Sequence, residues 1–449
     1  MALRRDDTIA ALATAPGIGA IAVVRLSGPD ARTIARVVTG ADPQPRRAEL
    51  CTFRDAAGAP LDRGLVLMFA GPHSFTGEDV VELHCHGGRV VSDALLAALF
   101  ALGARAAEPG EFTLRAFLND KIDLLQAEAI ADLVASGSAQ AARAAVRSLE
   151  GEFSAAVSRI QQALTALRVR IEAWLDFPDE ELPFDAAPQC AAELAAIIEQ
   201  LAALNLRARS GRALRDGLNV AIAGEPNAGK SSLLNRLAGY DAAIVTEIPG
   251  TTRDPLREHI TLDGLPITVV DTAGLRETND PVEREGVRRA RVEVARADRL
   301  LWVADARVPL ARAIAAARAA SADAAALTVI ANKIDLTGAP PRIAVEEGTT
   351  VVYASALTGA GTDLLVAHLK QVAGVDVDAA GSFSARRRHL DALARTHGHL
   401  IATRSQLGAA LELAAEHLRN AQSALSELTG ELSSDDLLGE IFATFCIGK

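Results

Sequence analysis

The chain has 449 residues, 49% of them hydrophobic but only 4% aromatic, and a formal net charge of −11. That length suits about three domains, and the acidic balance excludes a protein that coats nucleic acid by bulk charge, so any RNA contact has to use a local basic patch or a partner. The four cysteines, Cys51, Cys85, Cys190 and Cys446, form no C-x-x-C pair, and a reducing compartment is the simplest reading. Met1 to Thr8 lacks the apolar core of a signal peptide. The apolar run from Ala94 to Ala104 is too short to span a bilayer. A soluble, cytoplasmic chain with no membrane contact is expected.

Residues 1–120 read as a compact α/β domain. Ile21-Ala22-Val23-Val24 and Val80-Val81-Glu82-Leu83-His84 are strand-like. Asp93 opens an apolar helix running to Leu102, and Gly71-Pro72 and Pro109-Gly110 punctuate the elements. A strand over His84-Cys85-His86 puts both histidines on one face, but no matching third ligand is evident, so they read as structural. From 121 to 215 the period becomes helical. Leu164, Leu167, Ile171 and Trp174 form one stripe, and Leu194, Ile197, Leu201 and Leu204 another. The prolines of Asp176 to Pro183 make a loop between them. Residues 216–373 alternate strand and helix signals. Gly374 to Ser384 reads as a linker. Helical spacing returns within 374–449, through Leu390, Leu393, His397 and Leu400, then Leu411, Leu418, Leu425, Leu428 and Leu432. Each helical segment exposes an apolar face that needs a partner. The two are therefore expected to pack together, with the α/β unit inserted between them. Arg386-Arg387-Arg388-His389 reads as a solvated helix start.

The middle unit carries recognisable chemistry. Gly224-Glu225-Pro226-Asn227-Ala228-Gly229-Lys230-Ser231 matches G-x-x-x-x-G-K-[ST] between a strand pattern, Leu218 to Ala223, and a helix pattern, Ser232 to Leu237. Glycines there let backbone N–H groups surround phosphate oxygens, and the new helix adds its positive end. Lys230 supplies a point charge for the β- and γ-phosphates, and Ser231 a hydroxyl for Mg²⁺. Four further stretches follow in the order a GTPase needs. Gly250-Thr251-Thr252-Arg253-Asp254 sits in a polar segment suited to a mobile switch. The strand Ile267 to Val270 ends in Asp271-Thr272-Ala273-Gly274, where Asp271 can hold Mg²⁺ through water and the Gly274 N–H can sense a γ-phosphate. Leu327 to Ala331 ends in Asn332-Lys333-Ile334-Asp335. A carboxylate at Asp335 accepts from guanine N1–H and N2–H₂, which selects GTP over ATP. Val351 to Ala354 leads to Ser355-Ala356-Leu357, whose backbone can meet guanine O6. Leu275 follows Gly274 where many small GTPases place a water-orienting glutamine. Another group must do that work, and Glu283 lies a short way downstream. Asn227 either offers an oxygen to a monovalent cation beside the phosphates or is only a turn residue.

Together with both ends of the chain, these residues resemble the bacterial tRNA modification GTPase family MnmE (TrmE). The resemblance covers nearly the whole chain. Besides the phosphate loop and Gly250-Thr251-Thr252-Arg253-Asp254, it rests on Phe75-Thr76-Gly77-Glu78-Asp79, Ala116-Phe117-Leu118-Asn119-Asp120-Lys121 and Phe445-Cys446-Ile447-Gly448-Lys449. It implies a multidomain α/β plus α chain: an N-terminal tetrahydrofolate-binding and dimerisation domain (1–120), a helical domain in two parts (121–215 and 374–449), and an inserted Ras-like P-loop GTPase domain (216–373). It implies a homodimer that works with a flavin-containing partner, MnmG (GidA), in a heterotetramer or larger complex. Together they install a carboxymethylaminomethyl or aminomethyl group at C5 of wobble uridine 34 in certain tRNAs. The carbon comes from 5,10-methylene- or 5-formyl-tetrahydrofolate, and K⁺ stimulates the Mg²⁺-dependent hydrolysis of GTP.

Carried over by resemblance, the nucleotide contacts are Asn227, Ala228, Gly229, Lys230, Ser231 and Ser232, the run Thr246, Glu247, Ile248, Pro249, Gly250, Thr251 and Thr252, and the three later motifs. Asn227, Thr246, Ile248 and Thr251 would surround K⁺, and Ser231 and Thr252 would bind Mg²⁺. Glu283 would orient the water indirectly. Arg25, Glu82, Lys121 and Lys449 would border the folate site, and Cys446 is a candidate for the modification chemistry. His84-Cys85, beside Glu82, departs from the family pattern. The other reading of the chain is a regulatory GTPase that binds ribosomes or RNA without base chemistry; the folate-site residues and Cys446 favour the first.

Overall fold

The computed structural model describes residues 7–176, 186–240, 257–271, 297–321, 326–374, 381–430 and 435–443, with Phe445, Cys446 and Gly448. The chain divides into two compact units. One comprises Met1–Ala131, Leu149–Asp179 and Ala410–Lys449; the other comprises Asp132–Ser148 and Glu180–Ala409.

The first unit opens with β1 (Ile9–Leu12), β2 (Ile21–Ser27), α1 (Ala31–Thr39), β3 (Glu49–Arg54), β4 (Pro60–Phe69), β5 (Val80–His86), α2 (Arg89–Ala101), β6 (Arg105–Ala106), α3 (Glu111–Leu118) and α4 (Leu124–Val134). Its strands form one sheet in the order β3-β4-β5-β2-β1-β6, antiparallel except for the β1–β6 pair. Alternation decides which face is buried. Val24, Leu26, Val66, Met68, Val81, Leu83 and Cys85 pack with Ile34 and Val38 of α1 and Leu95 and Leu99 of α2. Arg25, Glu82 and His84 therefore stand on the other face. Helix α2 starts at Arg89, four residues before Asp93. Arg89 and Val90 of its first turn are exposed, so the apolar pattern becomes visible only further along.

The chain continues through α5 (Ala139–Leu149), α6 (Glu152–Asp176) and α7 (Ala186–Asp216). Near its end come α11 (Arg387–Gln406), α12 (Leu411–Thr429) and α13 (Asp435–Ala443). In the first unit α6 packs on α12, joining the stripe of Leu164, Leu167 and Ile171 to a helix that buries Leu418, Leu425 and Leu428. Gln422 Nε2 bonds Thr165 Oγ1 at 2.7 Å within that interface. In the second unit α7 packs on α11. The sequence segments on either side of the α/β unit thus pair helix to helix.

The second unit holds β7 (Leu218–Gly224), α8 (Lys230–Ala238), β8 (Arg257–Leu262), β9 (Leu265–Asp271), β10 (Arg299–Asp305), α9 (Leu310–Ala320), β11 (Ala326–Asn332), β12 (Arg342–Glu346), β13 (Thr349–Tyr353) and α10 (Thr362–Ala373). The seven strands run in the order β12-β13-β11-β10-β7-β9-β8. They are parallel except for the two edge strands, β12 and β8. Central parallel strands are covered on both faces, so they read as unbroken apolar runs: Val220 to Ala223, Leu300 to Ala304 and Val329 to Ala331 are buried throughout. Leu233 and Leu237 of α8 and Leu365 and Leu369 of α10 cover one face, and Ala313, Ile314 and Ala317 of α9 the other.

Three expectations change here. Within the expected linker, Ser382, Phe383 and Ser384 are buried, as is Ala385 after it, with Arg207 stacked 3.9 Å from the Phe383 ring centroid. The Arg386 start is not solvated either. The Arg386 guanidinium bonds Asp132 at 2.9 Å, its backbone N–H donates to His389 Nδ1 at 3.0 Å, and His389 is buried; of this run Arg387 alone is well exposed. His397 is exposed, and Thr396 takes the buried position of that turn. Among the described residues, no helix is long and apolar enough to cross a membrane.

Candidate functional site

The phosphate loop leaves the C-terminal end of β7 and enters α8, as the motif requires. Two of its glycines admit no side chain. Gly224 has φ +150°, and a Cβ there would lie 2.1 Å from the Val303 carbonyl oxygen; a Cβ on Gly229, φ +98°, would lie 2.3 Å from Asn332 Nδ2. Asn227 between them is left-handed, φ 59°. Lys230 Nζ folds back over the loop and donates to the carbonyls of Gly224 and Glu225, both at 3.0 Å. Its ammonium is thereby held at the mouth of the loop. Ser231 and Ser232 follow on the first turn of α8 and are exposed.

The base motifs are wired to this loop. Asn332, only 2% exposed, donates Nδ2 to the Ala228 carbonyl at 2.8 Å and accepts the Ala356 N–H on Oδ1 at 2.9 Å. One side chain thus joins the phosphate loop to the Ser355-Ala356-Leu357 loop. Lys333, itself left-handed, donates Nζ to the Asn227 carbonyl at 2.6 Å. Ile334 is buried beneath a short 3₁₀ turn that carries Asp335. The buried Ser355 hydroxyl donates to Asp335 Oδ1 at 2.5 Å and fixes the carboxylate's orientation. Leu357 is exposed at the rim.

Two further residues belong to this site and escaped the sequence reading. Asp305, at the end of β10, accepts Lys333 Nζ at 2.9 Å and is clasped by Arg307 at 3.0 and 2.8 Å. The Arg307 guanidinium, with Lys333, holds the Asp305 carboxyl far below the usual carboxylate range. A lone carboxylate at the C-terminal end of a central parallel strand is a signal that could have found it. Arg236, in the last turn of α8, donates to the carbonyls of Ala356 and Leu357 at 3.1 and 2.6 Å. Nothing in its sequence context marks it out.

Several expected residues lie outside the described ones: Thr246, Glu247, Ile248, Pro249, Gly250, Thr251 and Thr252, then Thr272, Ala273, Gly274 and Glu283, and Lys449. Asp271 ends β9 with its backbone beside Ile222 of β7.

The N-terminal sheet carries a second constellation. Arg25 and Glu82 face each other across β2 and β5, and the guanidinium gives Glu82 Oε1 two bonds, at 3.0 and 2.8 Å. The same guanidinium lies 6.0 Å from the Phe75 ring centroid and 5.8 Å from that of Phe112. The stretches Phe75 to Asp79 and Ala116 to Lys121 interlock beside it. Asn119 Nδ2 donates to the Thr76 carbonyl at 2.7 Å, and the Lys121 stem lies 3.3 Å from the Cβ position of Gly77. Lys121 Nζ reaches the Pro72 carbonyl at 2.9 Å. Glu78 joins a buried ionic network. It accepts from the Ser27 hydroxyl at 2.6 Å and from Arg115 at 3.1 Å, and Arg115 also bonds Asp7 and Glu111. The tail comes to the same domain. The Gly110 N–H donates to the Cys446 carbonyl at 3.4 Å, and Gly448 rests against Leu12 at the end of β1. Cys446 is exposed. His84 and His86 do share one face of β5, with Cys85 buried on the other. Among the described residues, no three His, Cys, Asp or Glu side chains stand together as a metal cage.

A family model described as the MnmE helical domain matches residues 124–446, and one described as the GTP-binding protein TrmE N-terminus matches residues 8–121. Curated proteins called tRNA modification GTPase MnmE are similar from end to end. That of Nitrosococcus oceani is 54% identical over 99% of this chain and 98% of its own length. That of Alkalilimnicola ehrlichii is 55% identical over 98% and 99%, and that of Stutzerimonas stutzeri 54% over 99% of each. With a phosphate loop tied by Asn332 to the Ser355-Ala356-Leu357 loop, and an N-terminal sheet joined by the chain's own tail, the chain belongs to the tRNA modification GTPase MnmE family.

Proposed function

We propose that this chain hydrolyses GTP as the GTPase of a tRNA-modifying complex. The observation that carries the nucleotide reading is the joint at Asn332, which sets the phosphate loop and the Asp335 carboxylate in one frame. Loop N–H groups and Lys230 hold the phosphates, and Asp335, oriented by Ser355, accepts from guanine. The Ser231 hydroxyl, beside Lys230 at the N-terminal end of α8, suits Mg²⁺, with Thr252 as its second protein ligand. Mg²⁺ held by these residues would offset the charge that develops on the transferred phosphoryl group. We further propose that Asn227, Thr246, Ile248 and Thr251 hold K⁺ beside the phosphates and that Glu283 orients the attacking water.

The tRNA chemistry is read as addition of a carboxymethylaminomethyl or aminomethyl group at C5 of wobble uridine 34. The carbon is folate-derived, and a homodimer acts with the flavin protein MnmG. The Arg25–Glu82 pair beside Phe75, on the domain that also carries Lys121 and the docked tail, supports a folate site. A reduced pterin offers N–H donors to a carboxylate, and its glutamate tail offers carboxylates to Lys121 and Lys449. Nucleoside analysis of tRNA from cells lacking this chain tests the reading. The modified wobble uridine should disappear and return on complementation. Unchanged wobble nucleosides would leave a GTPase without base chemistry.

A further inference from the structure

One carboxylate on the open face of the N-terminal sheet is approached from two directions. Glu82 and His84 are two apart on β5, so both point away from the core that buries Val81, Leu83 and Cys85. Arg25, directly opposite on β2, occupies Glu82 Oε1. His84 Nε2 lies 3.4 Å from the other oxygen, Oε2. The Glu82 side chain is 16% exposed and that of His84 30%, so an incoming ligand meets both. With Oε1 taken by a guanidinium, Oε2 is the acceptor left for a donor-bearing ligand, and the imidazole stands against that oxygen.

Among the described residues, the rest of the face supplies no competing partner for the imidazole. The residues opposite His84 are Val23 on β2 and Leu65 on β4. Arg63, further along β4, shares the face by alternation, and His86 is bound to Asp62 at 2.7 Å. Of the described groups facing His84, Glu82 alone offers the imidazole a carboxylate oxygen.

We propose that His84 is a positioning residue that sets the availability of Glu82 Oε2 to a reduced pterin, an inference that rests on the folate reading above. Neutral imidazole gives Oε2 at most an uncharged N–H bond, and none in the Nδ1–H tautomer, so the ligand's N–H groups can displace it. Protonated imidazole donates to Oε2 and competes with them. By linkage, ligand binding and His84 protonation oppose each other. Imidazole changes charge between about pH 5 and 8. A single competing proton weakens affinity by up to tenfold per pH unit, so a loss of about tenfold is the scale expected across the range in which imidazoles change charge.

The test is titration of the full-length chain with 5-formyltetrahydrofolate from pH 5.5 to 8, for the wild type, His84→Gln, His86→Gln and Glu82→Ala. The wild type should lose about tenfold in affinity as the pH falls, His86→Gln should keep that dependence, and His84→Gln should abolish it. A His84→Gln protein that had merely lost its fold would fail to bind even at pH 7.5, where the inference requires affinity close to that of the wild type. A wild-type profile that is flat, or a His84→Gln profile that retains the slope, overturns the inference. Wild-type-like binding by Glu82→Ala overturns the folate assignment itself, independently of the pH profile.

Discussion

Replacing Asn332 by alanine removes both bonds that join the phosphate loop to the base loop. The Ala228 carbonyl loses its 2.8 Å donor and the Ala356 N–H its 2.9 Å acceptor, in a place 2% exposed to solvent. A buried polar group left unmet costs ~1–3 kcal/mol, so the pair costs ~2–6 kcal/mol in the ligand-competent arrangement. That corresponds to a loss of at least about 30-fold in nucleotide affinity. Titration of the full-length chain with a fluorescent GDP analogue measures it, with thermal unfolding as the control for global damage. Asn332→Asp separates the two bonds: it keeps an acceptor for Ala356 but sets a carboxylate oxygen against the Ala228 carbonyl, so it too should bind poorly. Gly229→Ala should give the same loss by a steric route, since its Cβ would lie 2.3 Å from Asn332 Nδ2. Asn332→Ala with affinity within about threefold of wild type, and unchanged melting, would refute the view that this side chain assembles the site.

Asp335→Asn should weaken GTP binding and improve xanthine nucleotide binding, because xanthine presents an acceptor where guanine has its amino donor; unchanged GTP affinity in direct titration would reject the assignment. GTP turnover should be faster in KCl than in NaCl at equal ionic strength, and Asn227→Ala should remove the difference; equal wild-type rates would remove K⁺ from the mechanism. Cys446→Ser should impair wobble modification in cells while GTP turnover persists, and full modification by the mutant would exclude the thiol from the chemistry. Acid should loosen the N-terminal domain. Burial alone would raise the Glu111 carboxyl, but the Arg105 and Arg115 guanidinium groups hold it below the usual range, as they do Asp7. Stability from such depressed groups is present above the ordinary carboxylate range and is lost as pH falls through the folded values. Thermal unfolding between pH 3 and 7 should therefore fall less steeply for Glu111→Gln than for wild type; parallel curves would discount the network.

The groups proposed to meet ligands were legible because phosphate and guanine impose fixed residue types at fixed spacings. Gly224 to Ser231, Asn332 to Asp335 and Ser355 to Leu357 stand where their strand ends put them. The two helix stripes were legible through their period. Groups that hold backbone were not. Arg236 acts on the carbonyls of Ala356 and Leu357 from a position that also suits an ordinary solvated arginine, and Asp305 acts through Lys333, far from it in sequence. The Ser382 to Ala385 segment is rich in small and polar residues, so it reads as exposed. It is buried with the Ser382 and Ser384 carbonyls taken up by Arg147 and Ser148, and with Arg207 on the Gly381 carbonyl just before it. Tertiary partners of this kind leave no periodic trace.

The ionic network of the N-terminal unit makes sense as a device for position rather than for stability. Arg115 and Glu111 are nearly fully buried, and taking such charges out of water offsets much of what their attraction contributes; an apolar cluster of equal volume would stabilise as well. An apolar cluster would not, however, fix Glu78. Arg115 bonds Glu78, Glu78 takes the Ser27 hydroxyl, and Ser27 shares a 2.7 Å bond with Thr76. Asn119 then grips the Thr76 carbonyl from the helix side. Phe75 is thereby fixed beside Arg25, and Lys121 beside Gly77, by bonds that run through the backbone of the loop that carries Phe75. Two sequence stretches far apart in the chain thus behave as one rigid joint, and its geometry follows from directed bonds that hydrophobic packing cannot supply.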